Sequence, residues 1–277
     1  MKQIMAACVF VCLGGIPAWN AAVTDSSSPS QISSMSALLS RKEPITWLFC
    51  GDSITAGMVY THGWRNFSEL FKERLYELDR PGDVVINTAR SGANLGDFLG
   101  DFDRSVTRFR PDVVILLFGT NDCVSGPGGV KQFTERYAEA IQRCRQAGAS
   151  VVMLQTTVPV MPLDPVRAAQ LDIGPGKKVT EQDTHSLRMR LTCLPLYVEA
   201  TRKIARARKT PIIDHWAVWQ KAGSRIGQLM EGEIHPNEYG HRLMAYTIFS
   251  SMGIWDEKSP VCRHFVPVDK GNYIHAK

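Results

Sequence analysis

The sequence predicts an α/β domain built on a parallel sheet of five strands, and three observations carry that expectation. Short apolar runs alternate with amphipathic helical stripes from residue 45 onward, the pattern of parallel strands joined by crossover helices. Of 277 residues, 44% are apolar and 21% charged, an ordinary globular balance with enough chain for one sizeable core. Small polar turns carrying Ser, Gly and Asn follow the first three runs, where an open α/β sheet places its ligand crevice.

Residues 1–22 read as an export signal: Lys2, an apolar stretch from Ile4 to Trp19, then small residues around Ala21 and Ala22. The stretch is interrupted by Gly14, Gly15 and Pro17 and is shorter than the roughly 20 residues of a membrane helix. A secreted or periplasmic product without stable membrane insertion is therefore expected. Residues 23–40, mostly the Ser-rich run from Thr24 to Ser40, read as a flexible lead-in, which leaves 41–277 for the domain.

Within that domain the first strand is expected at 45–50, where Ile45, Trp47, Leu48 and Phe49 cluster. Phe67, Leu70, Phe71, Leu75 and Leu78 then recur at helical spacing and mark a core-facing helix. Strands follow at 83–87 ("DVVIN") and 112–118 ("DVVILLF"), and a second helical stripe comprises Phe133, Tyr137, Ile141 and Cys144. The fourth strand is expected at 150–156 ("SVVMLQT") and the fifth at 211–214 ("PIID"), with a final helix after His235. Between the last two strands, residues 158–185 are polar, rich in Pro and Gly, and longer than an ordinary connection. Their place beyond a strand's carboxyl end makes them a candidate lid or substrate wall, with a plain surface loop as the alternative.

Charge and cysteine content narrow the partners. The formal charge is +5, and +4 once Lys2 is lost, spread over stretches such as "TRKIARARK" without interleaved aromatics. That is a solvated helix surface rather than a nucleic-acid groove. Of seven cysteines, five remain beyond the leader (Cys50, Cys123, Cys144, Cys193 and Cys262), with no pair or His cluster at zinc spacing. No metal site or other cofactor is expected. Export would permit disulfides, although an odd count leaves one thiol over in a monomer.

The polar turns carry the chemistry. The plainer reading of Ser53, in "GDSIT", is that it only opens a helix, since Ser and Asp are favoured caps. Three further blocks weigh against so plain a role: "INTARSGAN" places Gly92 after strand two, "LFGTNDC" places Asn121 after strand three, and "GEIHPNEYGH" places His235 before the last helix. Acyl transfer at a serine needs a hydroxyl, a base and donors for the tetrahedral oxyanion. Ser53 supplies the hydroxyl and its own N–H, Gly92 a second backbone N–H, Asn121 a side-chain amide and His235 the base. The other histidines, at 62, 185, 215, 241, 264 and 275, lack a comparable set of partners.

These four blocks, in this order, resemble the GDSL esterases, or SGNH hydrolases, across roughly residues 45–250. The resemblance implies a flavodoxin-like three-layer α/β/α sandwich that hydrolyses esters or thioesters without a metal. It also implies Ser53 as nucleophile, His235 as general base, and an oxyanion hole of Ser53, Gly92 and Asn121. Asp52 is then structural, tying its turn through side-chain hydrogen bonds, and Trp64 packs near the site or simply in the core.

One departure stands out. Most family members place an Asp three residues before the base, where this chain has Gly232. Glu231 would regain the reach if the turn were helical, because residues four apart share a helix face, and it is the favoured third member. Glu233, or a backbone carbonyl in a Ser/His dyad, are the alternatives, and Asp214 reads more readily as a helix cap. The expected substrate is a small-molecule or carbohydrate ester, with removal of O-acetyl or other short acyl groups from a carbohydrate as the leading activity. A lysophospholipase or acyl-thioesterase, with Met161, Leu163, Val166 and Leu171 lining a groove, and a non-catalytic carbohydrate-binding module are the alternatives.

Overall fold

Side-chain alternation along the strands sorts the interior into two layers. In the computed structural model, which describes residues 37–162 and 181–263, the strands are β1 (Thr46–Gly51), β2 (Val84–Asn87), β3 (Val113–Leu117), β4 (Val151–Gln155) and β5 (Ile212–Ile213). All pair in parallel, in the order β2-β1-β3-β4-β5. Each lies within one residue of its predicted ends, because every run is a strong apolar block bounded by turn residues.

Trp47, Phe49, Val113, Ile115, Leu117, Met153 and Ile213 point to one side of the sheet. There they meet α2 (Phe67–Glu77), α6 (His215–Gln220) and α7 (Glu238–Ser251). Leu48, Cys50, Val114, Leu116, Val152 and Leu154 point to the other side. They pack against α3 (Leu95–Gly100), α4 (Val130–Gln146) and α5 (Glu181–Ala207). This is the three-layer sandwich that the family resemblance implies. Both faces of the sheet are covered, which is why its strands read as continuous apolar runs.

Two boundaries differ from the sequence reading. Residues 37–39 form a helical turn, and Leu38 is 3% exposed in the core, so the fold reaches back into the expected lead-in. The Leu38–Leu39 pair supplies the apolar contact that its Ser-rich surroundings concealed. At the expected insert, residues 181–185 are the first turn of α5. They are exposed and polar, which made them resemble loop, while Glu181 and Asp183 suit the positive end of the helix. Val158 is buried, and the Met161 N–H donates to the Glu233 carbonyl at 2.7 Å. The leader 1–22, most of the lead-in and insert residues 163–180, including Leu163, Val166 and Leu171, lie outside the described residues.

The five cysteines from Cys50 onward are buried free thiols. Burial pushes Cys50 and Cys123 up to about 12, so both are inert at neutral pH. No helix among the described residues is long and apolar enough to cross a membrane.

Candidate active site

The strand order turns about β1, with β2 on one side and β3 on the other, so the loops leaving β1, β2 and β3 border one crevice. Asp52 caps α1 (Ser53–Ala56), its carboxylate accepting the Ile54 N–H at 2.9 Å. That carboxyl is fully buried, and burial pushes it up to about 7 against the opposing hydrogen bond. Ser53 is the first residue of α1, where a backbone N–H has no partner within the helix. The residue is 6% exposed.

Ser53 Oγ lies 2.9 Å from His235 Nε2, although 182 residues separate them. His235 comes from a short antiparallel hairpin, β6 (Met230–Glu231) and β7 (His235–Pro236). Gly232 turns that hairpin at φ 68°, a left-handed conformation that favours glycine. The turn is therefore not helical, and Glu231 is the strand partner of His235 rather than its neighbour on a helix face. The Glu231 carboxylate reaches His62 Nε2 at 3.3 Å instead, which corrects the expectation that it orients His235. Glu233 meets Met161 through its backbone carbonyl. Asp214 caps α6 and binds Arg202, as its reading as a cap requires.

The opposite wall is cross-linked by hydrogen bonds. Asn121 Nδ2 donates one proton to the Ala93 carbonyl at 2.9 Å, which leaves its second amide proton for another acceptor. Its Oδ1 accepts from Arg190 Nη2 at 2.9 Å, and Arg190 Nε donates to the Thr120 carbonyl at 3.0 Å. Asp122 accepts the Leu95 N–H at 2.9 Å and the Gly119 N–H at 3.0 Å, stitching the loop after β2 to the turn after β3. Gly92 sits exposed between them at φ 79°; a Cβ there would meet nothing within 4 Å, so conformation rather than space calls for glycine.

Several of these residues escaped the sequence reading. Arg190 arises from α5, outside any recognisable block, and only its contacts reveal it. Asp122 stands inside "GTND", where nothing local marks it as a tie to Leu95. Tyr60 stacks on His235 with ring centroids 3.5 Å apart and planes 7° from parallel. Trp64, four residues on, is partly buried, and its N–H closes a turn on the Thr61 carbonyl at 2.8 Å. His62, for which the sequence alone offers no partner set, holds Glu238 at 2.8 Å through Nδ1 besides Glu231.

Burial, with the Arg190 charge second, pushes His235 down to about 4. The imidazole is thus neutral at ordinary pH and can accept a proton from Ser53. Chemically, the Ser53–His235 pair can pass a hydroxyl proton to a neutral imidazole. Among the described residues no group of three or more His, Cys, Asp or Glu side chains is placed to hold a metal ion.

Comparison with known proteins places this arrangement. An arylesterase of Vibrio mimicus is 33% identical over 115 residues, covering 40% of this chain and 54% of that protein. The chain thus spans about half the length of the curated relative that it matches. Among solved structures, an acetyl xylan esterase matches with a TM-score of 0.56 at 20% identity over 75% of this chain and 99% of that one. An acetylxylan esterase from Geobacillus stearothermophilus gives 0.57 at 16% identity, covering 76% of this chain and 94% of that one. The lipase/acylhydrolase from Enterococcus faecalis gives 0.58 at 21% over 75% and 95%. At such identities these structures establish a shared fold. The sequence model of the GDSL-like lipase/acylhydrolase family matches residues 49–243, from the end of β1 into α7. Since that span takes in the whole of this sheet edge, the chain belongs to the GDSL-like lipase/acylhydrolase family.

Proposed function

We propose that the chain is a carboxylic-ester hydrolase working through a Ser53–His235 dyad. The observation that carries this reading is the 2.9 Å contact between Ser53 Oγ and His235 Nε2 at the sheet edge bearing Asn121 and Gly92. Ser53 Oγ attacks the ester carbonyl carbon while its proton passes to His235 Nε2. The carbonyl oxygen becomes an oxyanion facing the Ser53 N–H, the Gly92 N–H and the second Asn121 amide proton. Collapse expels the alcohol, which takes the proton from His235, and water repeats the sequence on the acyl-serine, releasing the acid.

For the substrate, we favour O-acetyl or other short acyl groups on a carbohydrate. Two acetylxylan esterases share the fold, and a cavity of about 280 Å³ adjoins the loop after β2. Thr88, Arg90, Asp97, Ser105 and Arg108 help to line it, a wall suited to a polyhydroxylated alcohol. A second reading, aryl or longer acyl esters, draws support from Met58 and Val59, 65% and 75% exposed just before Tyr60, and from the Vibrio relative. Action outside the cytoplasm, in a secreted or periplasmic form, rests on the leader-like residues 1–22 alone.

A panel of p-nitrophenyl acetate, butyrate and octanoate with acetylated xylo-oligosaccharides tests both readings, alongside labelling by a fluorophosphonate. Labelling together with preference for the acetates supports the first reading, and preference for octanoate the second. Absence of both labelling and turnover would return the chain to the class of non-catalytic binding modules.

A further inference from the structure

The structure assigns Tyr60 as a positioning residue for the base, one whose aromatic face does for protonated His235 what a carboxylate does elsewhere. This inference rests on the ester-hydrolase reading above. The His235 imidazole has Ser53 on Nε2, and no carboxylate of a described residue is hydrogen-bonded to its Nδ1. What fixes the ring plane is the Tyr60 face, 3.5 Å away and 7° from parallel. That contact restrains rotation of the imidazole and keeps Nε2 aimed at Ser53.

The stack also discriminates between the two charge states of the base. A neutral imidazole gains a modest contact from it, whereas the imidazolium formed in the tetrahedral step is a cation over the negative face of an aromatic ring. An interaction that strengthens only when the proton has moved lowers the barrier rather than tightening ground-state binding.

Tyr60 is itself held in place. It belongs to a 3₁₀ turn, Met58–Thr61, that opens on Met58 at φ 32° and is followed by His62 at φ 51°, left-handed conformations that are unfavourable for residues with a Cβ. His62 secures that turn from two sides, to Glu238 at 2.8 Å and to Glu231 at 3.3 Å. Glu238 is buried at the start of α7, and Glu231 lies on β6 opposite His235. Glu231 thus serves the base at one remove, by holding the platform on which it stacks.

The test compares Tyr60→Phe, which keeps the ring face, with Tyr60→Leu, which keeps apolar bulk without it. Steady-state kinetics on p-nitrophenyl acetate provide the readout, with circular dichroism to confirm folding. Phenylalanine should hold kcat within about twofold of the parent, whereas leucine should lower kcat by roughly three- to thirtyfold with KM little changed. Should the leucine variant not fold, Tyr60→Met makes the same comparison. Parental kcat in the leucine or methionine variant, or an equal loss in the phenylalanine variant, would overturn the inference. Ser53→Ala serves as the control: if it keeps parental activity, the hydrolase reading fails and the inference with it. If it is inactive while Tyr60→Leu turns over like the parent, the inference alone fails.

Discussion

The two walls of the crevice are held by different physics. On the acceptor side, Asn121, Arg190, Asp122, Ala93 and Leu95 are locked by hydrogen bonds of 2.9 to 3.0 Å among segments leaving β2 and β3 and the helix α5. On the base side, His235 stands on a strand of two residues, and among the described residues its imidazole is held by one hydrogen bond and one ring face. Donors for an oxyanion must be preorganised, because their value lies in not having to reorient as charge develops. A base needs only one nitrogen aimed and its transient charge tolerated. A rigid network meets the first need and a stack can meet the second.

Substitutions can break this contrast at either wall. The largest effect belongs to the atom that both walls serve: Ser53→Ala should lower ester turnover by roughly 10⁴- to 10⁶-fold with the fold intact, as followed by kcat and circular dichroism. Asn121→Ala removes an acceptor-side donor and should lower kcat by roughly 10²- to 10³-fold with little change in KM. A rise in KM alone would make Asn121 a binding residue. Arg190→Gln withdraws the charge-assisted bond that orients Asn121 and should lower kcat by roughly ten- to a hundredfold. Because Arg190 helps to depress His235, the same variant should move the acid limb of the pH profile upward. At the base wall, Glu231→Gln touches only a half-exposed pair with His62, so kcat should fall by about fivefold at most.

The same contrast explains what the sequence disclosed. Ser53, Gly92 and Asn121 follow strands whose apolar runs are unmistakable, so strand and site were legible together. His235 was legible from its block, but not the geometry around it: four residues from Glu231 to His235 suit a helical turn and a tight hairpin equally, and the φ of Gly232 decides between them. Arg190 and Tyr60 act across tertiary contacts 69 and 175 positions away in the chain, to Asn121 and to His235. No local pattern marks such partners. The role of Leu38 was hidden for a simpler reason, since the serine content of residues 24–40 outweighs the few apolar residues near its end.

The dependence of kcat/KM on pH tests most directly the claim that no carboxylate of a described residue stands on His235. A base pushed down to about 4 by burial and by Arg190 stays neutral as the solution is acidified, so activity should persist and then fall as pH drops through about 4. A carboxylate on Nδ1 would favour the imidazolium and raise that value. Measured on p-nitrophenyl acetate, with the protein shown to remain folded at each pH, an acid limb near 4 is the predicted result. A limb at or above the ordinary histidine value of about 6.5 would contradict the account and show that an acid orients His235.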